Sequence, residues 1–266
     1  MSTFQNKTVL ITGGASGIGK LMASIALQKG AKVIIWDINA ASITSTLSEI
    51  QSLGSIFGYT IDITDLVAVK ETAALVKKEQ GTVDILINNA GIVVGKYFHE
   101  HTHEEISRTM AINANAPMHL TLEFIEGMLA QNSGHICTIA SSAGLISNPK
   151  MSVYAASKWS AIGWSDSLRL EMKQLKKNIG VTTVTPYYIN TGMFDGVKSI
   201  VPILNPEKVA NQIIRGIESN KIFVSMPWSV GFVRFFQGLL PIRVFDWLVG
   251  DVMGVYATMN HFKGRQ

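Results

Sequence analysis

Seven short runs of aliphatic and β-branched residues recur along the chain, and most are apolar along their whole length rather than alternating with polar residues. They are "TVLIT" (8–12), "KVIIWD" (32–37), "IFGYTID" (56–62), "VDILINN" (83–89), "GHICTIAS" (134–141), "VTTVTP" (181–186) and "KIFVS" (221–225). A strand with no polar side has to be covered on both faces, and longer helical stretches separate successive runs here. That combination leaves little choice but a parallel sheet with helices packed above and below it. The helical stretches are expected to about Lys29, over 40–53, from about Asp65, as one long helix from about Glu104, around 152–163, and from about Pro206. No Pro/Ser-rich linker, internal repeat or low-complexity segment interrupts the alternation. The expected fold class is therefore α/β, a single doubly wound domain over 1–225 with an apolar, helical C-terminal extension over 226–266.

Composition narrows the function classes. The 266 residues are 47% hydrophobic and only 16% charged, with a mean hydropathy of +0.24. A large core, or a core plus apolar surface, is expected from such numbers. The net charge of +4 is scattered with no basic block, which argues against a nucleic-acid partner. The single cysteine, Cys137, rules out an intrachain disulfide framework; it reads as core filler and points to a reducing, cytoplasmic setting. The first strand begins within a few residues of Met1, leaving no room for a signal peptide, and no run of 18 apolar residues suggests a spanning helix.

Directly after the first strand comes "TGGASGIG" (12–19), with Gly13, Gly17 and Gly19 at a G-x-x-x-G-x-G spacing. Between a strand and a helix, such glycines permit a tight turn and let backbone N–H groups approach a pyrophosphate. The helix N-terminus beyond adds partial positive charge. The loop residues Gly13, Ser16, Gly17, Ile18 and Gly19 thus read as a dinucleotide cradle, making the domain Rossmann-type. Asp37, 18 residues past Gly19, ends the second strand, where a carboxylate can bind adenosine ribose hydroxyls and repel a 2′-phosphate. With Trp36 and Ile38 as neighbours and no basic residue in the loop, the expected cofactor is NAD rather than NADP. Asp62 and Ile63 close the third strand near the adenine. Asn89, Ala90 and Gly91 of "NNAG" close the fourth, where open α/β sheets bind their ligands.

In "SVYAASKWSAIG" (152–163), Tyr154 and Lys158 stand one helical turn apart and share a face. Spacing alone does not separate a proton-delivery pair from two polar residues on a helix. Context does: "TGGASGIG", Asp37, "NNAG", Asn113 in "AINANAP", Ser141 in "ASSAG", "YAASK" and "PYYINTG" stand in the order and spacing of one family. From about residue 6 to 225 the chain resembles the short-chain dehydrogenase/reductases, and "TIASSAGLISNP" and "YINTGMFDG" are similar to the branch holding retinol and 17β-hydroxysteroid dehydrogenases.

The resemblance implies a catalytic tetrad of Asn113, Ser141, Tyr154 and Lys158, with Ser142 the fallback for the serine. It further implies that Lys158 contacts the nicotinamide ribose and that Asn113 holds a water leading to solvent. Pro186, Ile189 and Thr191 of "PYYINTG" would close over the nicotinamide, although Tyr187 stands where many relatives have glycine. An ammonium one turn from a phenol with a reference pKa of about 10 is expected to lower it toward a useful acid/base value. The expected activity is NAD(H)-dependent interconversion of a lipophilic alcohol and its carbonyl. A 3-oxoacyl thioester reductase and a non-catalytic NAD-binding sensor or scaffold are the alternatives. A homodimer or homotetramer is implied by the resemblance alone.

Leu145, Ile146, Met151, Met193, Phe194 and Val197 are candidate pocket residues, apolar enough for a small apolar alcohol or ketone, and each could equally be core. The stretch 227–256 is rich in large apolar residues, with Arg234, Arg243, Asp246 and Asp251 spaced along it and Pro241 interrupting it. It reads as a substrate lid, a dimer contact or a membrane-surface segment. His99, His101 and His103 alternate in "HEHTHEE", but Thr102 and Glu105 form a capping box that explains the segment without metal, and no metal site is expected.

Overall fold

A computed structural model describes residues 3–264 of the chain. Seven strands pair in parallel in the order β3-β2-β1-β4-β5-β6-β7. They are β1 (Thr8–Thr12), β2 (Lys32–Asp37), β3 (Ile56–Thr60), β4 (Ile85–Asn88), β5 (Gly134–Ile139), β6 (Ile179–Pro186) and β7 (Phe223–Met226). Each expected strand is present, trimmed or shifted by a few residues at its ends.

The apolar strands divide their side chains between two cores. Val9 and Ile11 of β1 face one layer with Met22, Ala26 and Leu27 of α1 (Gly17–Gln28), Ile43 of α2 (Ala40–Ile50), and Ile213 and Ile217 of α7 (Pro206–Glu218). Leu10 faces the other layer. There it meets Val69 and Val76 of α3 (Leu66–Gln80), Leu120 and Phe124 of α5 (Ala116–Ala130), and Leu168 and Met172 of α6 (Ser152–Gln174). Val9, Leu10 and Ile11 are fully buried, and each such side chain contributes about 2 kcal/mol of transfer free energy. Cys137 lies in the first core as expected, and burial pushes its thiol pKa up.

The long helix expected from Glu104 is broken. α4 (His103–Met110) runs into a π-helical turn, Ala111–Asn115, before α5 begins. The widened turn closes with Ala116 N donating to Ala111 O, five residues back, and Pro117 follows in the first turn of α5, where its missing N–H is tolerated. The capping box at α4 forms as expected, with Thr102 Oγ1 accepting from Glu105 N at 3.2 Å and Glu105 Oε2 accepting from Thr102 N at 2.9 Å.

Beyond β7 the chain forms short pieces: a 3₁₀ turn (Trp228–Phe232), α8 (Val233–Leu239), α9 (Ile242–Asp246), a π turn (Trp247–Val252) and a 3₁₀ turn (Val255–His261). Its inner side packs on the domain. Gln237 Nε2 donates to Leu145 O at 2.7 Å, and Lys263 N donates to Asp195 O at 2.8 Å. Its outer side leaves Trp228, Phe235, Leu239, Ile242 and Trp247 more than half exposed. Among the described residues, no helix is long and apolar enough to cross a membrane.

Candidate active site

The strand order reverses between β1 and β4, and their carboxyl ends open into a cleft of about 300 Å³. A doubly wound sheet binds its ligand at such a switch point. The glycine loop forms the near wall. Gly13 and Gly17 take positive φ values of 61° and 53°, which side chains with a Cβ rarely adopt. Gly19 lies within the first turn of α1, where a Cβ would come within 2.1 Å of Gly13 O. α2, α3, α4 and α7 carry side-chain caps at Asn39, Asp65, Thr102 and Asn205, but Ser16 makes no capping bond to α1. The first N–H groups of α1 therefore have no side-chain acceptor, and Ser16, Gly17 and Ile18 line the cleft in front of them. That arrangement fits a pyrophosphate.

Asn89 holds this wall to the end of β4. Its Nδ2 donates to Thr12 O at 2.9 Å and Gly13 O at 3.2 Å, while Thr12 Oγ1 accepts from the N–H groups of Asn89 and Ala90 at 3.0 Å each. Asp37 anchors the other side: Oδ2 accepts from Ala15 N at 3.2 Å and Oδ1 from Asn39 N at 3.1 Å. Asp62 spends Oδ1 on Thr64, accepting from its N at 2.9 Å and Oγ1 at 2.7 Å. Asp37, Asp62, Ile63, Ala90 and Gly91 all line the cleft.

At its inner end, α6 brings Tyr154 and Lys158 beneath the loop after β5, which carries Ser141. Both α6 side chains are almost fully buried. Lys158 Nζ lies 5.7 Å from the centre of the Tyr154 ring and donates to Ile139 O at 2.9 Å. Burial drives the two pKa values in opposite directions. The Tyr154 phenol is pushed up to about 12, with a hydrogen bond to Ser141 pulling the other way. The Lys158 ammonium is pushed down to about 8. The expected lowering of the Tyr154 pKa is thus not seen in the protein alone: loss of solvent raises it, and the opposing pull comes from Ser141 rather than from Lys158.

Asn113 and Gly19 do not line the cleft. Gly19 packs behind the loop, and Asn113 sits in the π turn, where Oδ1 accepts from Ile92 N and Nδ2 donates to Ile92 O, each at 2.9 Å. The same Nδ2 lies 3.1 Å from Ser157 Oγ. Asn113 still approaches the cleft from below, since a Cβ on Gly91 would meet its Oδ1 at 3.2 Å and Lys158 Nζ at 3.5 Å. Of the competing serines, Ser141 lines the cleft, whereas Ser142 lines only a smaller cavity beside it.

Pro186, Ile189 and Thr191 line the far wall, followed by Met193 and Phe194. Tyr187 needs no glycine: its φ is not positive, its hydroxyl lies 2.9 Å from Ser199 Oγ, and its ring meets Tyr188 edge-on at 4.5 Å. Phe194 covers Tyr154 edge-on, with ring centres 6.0 Å apart. Ile146 and Met151 line the smaller cavity, and Val197 is buried in the cluster around Tyr154. Leu145 packs instead with Ala140, Ile162 and Val230, in the core and away from the cleft.

The comparisons with known proteins agree with this geometry. The family model for short chain dehydrogenases matches residues 7–200. The chain belongs to the short chain dehydrogenase family. Epidermal retinol dehydrogenase 2 of Mus musculus is 36% identical over 265 residues, covering 97% of this chain and 85% of that protein. Estradiol 17-beta-dehydrogenase 11 of Macaca fascicularis is 33% identical over 238 residues, covering 88% of this chain and 79% of its own. The crystal structure of a short chain dehydrogenase/reductase from Burkholderia phymatum in complex with NAD shares the fold, with a TM-score of 0.83 at 23% identity over 92% of this chain and 97% of that one. This short chain dehydrogenase is accordingly an oxidoreductase.

Sequence reasoning passed over part of its site. Arg108, on the exposed side of α4, lines the cleft along with Ile92 and Ile112 from the segments after β4. An arginine in an amphipathic helix carries no motif signal, and only the packing of α4 beside the mouth brings it there. The three histidines diverge: His99 stacks on Tyr97 with centroids 6.1 Å apart, His101 is buried beside Glu105, and His103 opens α4.

Proposed function

We propose that the chain interconverts an alcohol and its carbonyl on a lipophilic substrate, using NAD(H), with Tyr154 as the proton donor and acceptor. One observation carries this reading. A buried phenol, a buried ammonium and a serine hydroxyl converge at the inner end of the same cleft whose outer end is the glycine loop.

A bound nicotinamide would supply or accept the hydride. The chain's own groups handle the oxygen and the proton. Ser141 Oγ donates to the substrate oxygen and holds it against the Tyr154 hydroxyl. In reduction, that hydroxyl gives its proton to the oxygen as the carbon gains hydride; in oxidation it takes the proton back. With a pKa near 12, Tyr154 bears its proton at neutral pH, the form reduction uses. Lys158, with a pKa near 8, is mostly charged there and stabilises the phenolate left behind. Asn113 braces the floor through Ile92 and Ser157. Asn113 is also the residue we assign to a water beside Lys158.

Asp37 supports NAD over NADP, because a second negative charge at the ribose would face its carboxylate. The lining by Met193 and Phe194, and the names of the retinol and estradiol dehydrogenases among the relatives, support a small lipophilic substrate. The inner side of the C-terminal segment acts as its lid. The decisive assay is a panel of retinoids, steroids, acyl thioesters and simple alcohols with NAD and NADP. Turnover of lipophilic alcohols or ketones with NAD is expected. Preference for acyl thioesters, for NADP, or cofactor binding without turnover of any panel member would contradict the reading.

A further inference from the structure

A second, smaller cavity of about 30 Å³ adjoins the cleft, and the two share Ser141, Tyr187 and Phe194 as a common wall. Most of its lining is apolar, including Ile146, Met151 and Val255. Asn148 is the exception that stands out, because the amide is buried and only half satisfied.

Asn148 Nδ2 donates to Tyr188 Oη at 3.1 Å and to Thr258 Oγ1 at 2.9 Å. Those two hydroxyls lie 2.9 Å apart, and Thr258 Oγ1 passes its own proton to Val255 O at 2.8 Å. The donors and acceptors of this trio balance: Thr258 accepts from Asn148 and Tyr188, and Tyr188 accepts from Asn148. Asn148 Oδ1 is left buried with no partner among the described residues. Turning the amide over does not cure this, since Nδ2 would then be the stranded atom. A buried polar group in that state is expensive, and such groups are almost always paired in native proteins.

We propose that Asn148 and this cavity form a subsite for a second hydroxyl on the substrate, within a few bonds of the reacting carbon. The proposal rests on the carbonyl-reducing function assigned to the cleft. Size sets the first limit: a water needs roughly 10–15 Å³ of such space, so the cavity takes a hydroxyl with its carbon but no ring. Placement sets the second, because Ser141, which holds the reacting oxygen, is part of the wall. Chemistry sets the third. A hydroxyl both donates and accepts, so it satisfies Asn148 in either amide orientation, whereas a methyl group satisfies neither. Ser142 lines the same cavity and adds a second polar group near the hydroxyl.

The test uses the full chain with NADH and two substrates, a long-chain α-hydroxy ketone and the same ketone without the hydroxyl. The expected ratio of their kcat/KM values is about tenfold or more in favour of the hydroxy ketone, as for one well-made buried hydrogen bond. Asn148→Leu should bring that ratio to within about twofold of one. Tyr188→Phe removes one leg of the trio but keeps the amide, and should retain the preference. If Asn148→Leu does not fold, Asn148→Ala replaces it, and the wild-type ratio already decides the main point. Equal rates in the wild type, or a preference that survives loss of the Asn148 amide, would overturn the subsite alone. Turnover of neither ketone would sink the function assigned to the cleft, and the subsite with it.

Discussion

The outer and inner ends of the cleft are built from different materials. At the outer end, backbone does the work: positive-φ glycines, an uncapped helix start and the ends of β1 to β4 form the wall, with Asn89 tying them together. At the inner end, side chains from distant segments meet. Tyr154 and Lys158 come from α6, Ser141 from the loop after β5, Phe194 from the loop after β6, and Met259, packed in the cluster around Tyr154, from the C-terminal segment. A backbone wall depends on a few residues close in sequence. A side-chain wall depends on contacts such as that of Asn148 with Thr258, 110 residues apart. The first should therefore fail abruptly when one atom is added, and the second should yield by degrees.

The largest effect on cofactor affinity should come from Gly19→Val. The new side chain has to occupy space 2.1 Å from Gly13 O, where backbone cannot give way. Cofactor affinity, measured by NADH fluorescence titration, should fall by about a hundredfold or more, the cost of a major steric clash in a packed site. A loss of only severalfold would mean that the outer wall is as pliable as the inner one.

Lys158 stands at the seam. Burial lowers its pKa from 10.5 to about 8, so between those values the unfolded chain holds a proton that the folded chain has released. Stability without cofactor should then rise with pH from about 8, while Tyr154, shifted from 10 up to about 12, opposes this only above pH 10. The expected rise from pH 8 to 10, relative to Lys158→Met, is roughly 2 to 3 kcal/mol by chemical denaturation. A flat difference would mean that the ammonium is better solvated than its burial suggests.

Asp37→Ala should weaken NADH binding by about tenfold, the range for a hydrogen bond to a charged group, and weaken NADPH less. The smallest effect is expected for Phe194→Ala. Removing the ring that covers Tyr154 should raise KM for lipophilic substrates by about threefold to tenfold while NADH affinity changes less than about twofold. If cofactor affinity moved as much as KM, the two ends could not be treated separately.

The same contrast explains what could be read in advance. The sheet and the outer wall follow from local pattern: most strands are apolar on both faces, and the glycines, Asp37 and "NNAG" sit at strand ends, so position along the chain already gives position in space. Tyr154, Lys158 and Ser141 were found because their motifs stand in order, and the structure brings all three to one cleft. What escaped depends on packing. The run around Asn113 is compatible with one continuous helix, and only the assembled helix shows a π turn over Ala111–Asn115. Leu145 and Ile146 are neighbours in sequence, yet one enters the core and the other a cavity, because the loop turns between them. The tail showed its apolarity but not that Thr258 accepts from Asn148 and Lys263 N donates to Asp195 O, which fix its inner side to the domain. The Tyr154 pKa was expected to fall because charge can be read from sequence and burial cannot.

In the function proposed above, Tyr154 handles the proton in a cleft whose cofactor wall is independent of it. Tyr154→Phe keeps the ring and its packing and removes one hydroxyl, so a single preparation can be measured for NADH affinity and for turnover. NADH binding is expected within about threefold of wild type and turnover reduced by about 10² to 10⁴-fold, the usual worth of a positioned acid/base group. Turnover close to wild type in this variant would contradict the proposed function.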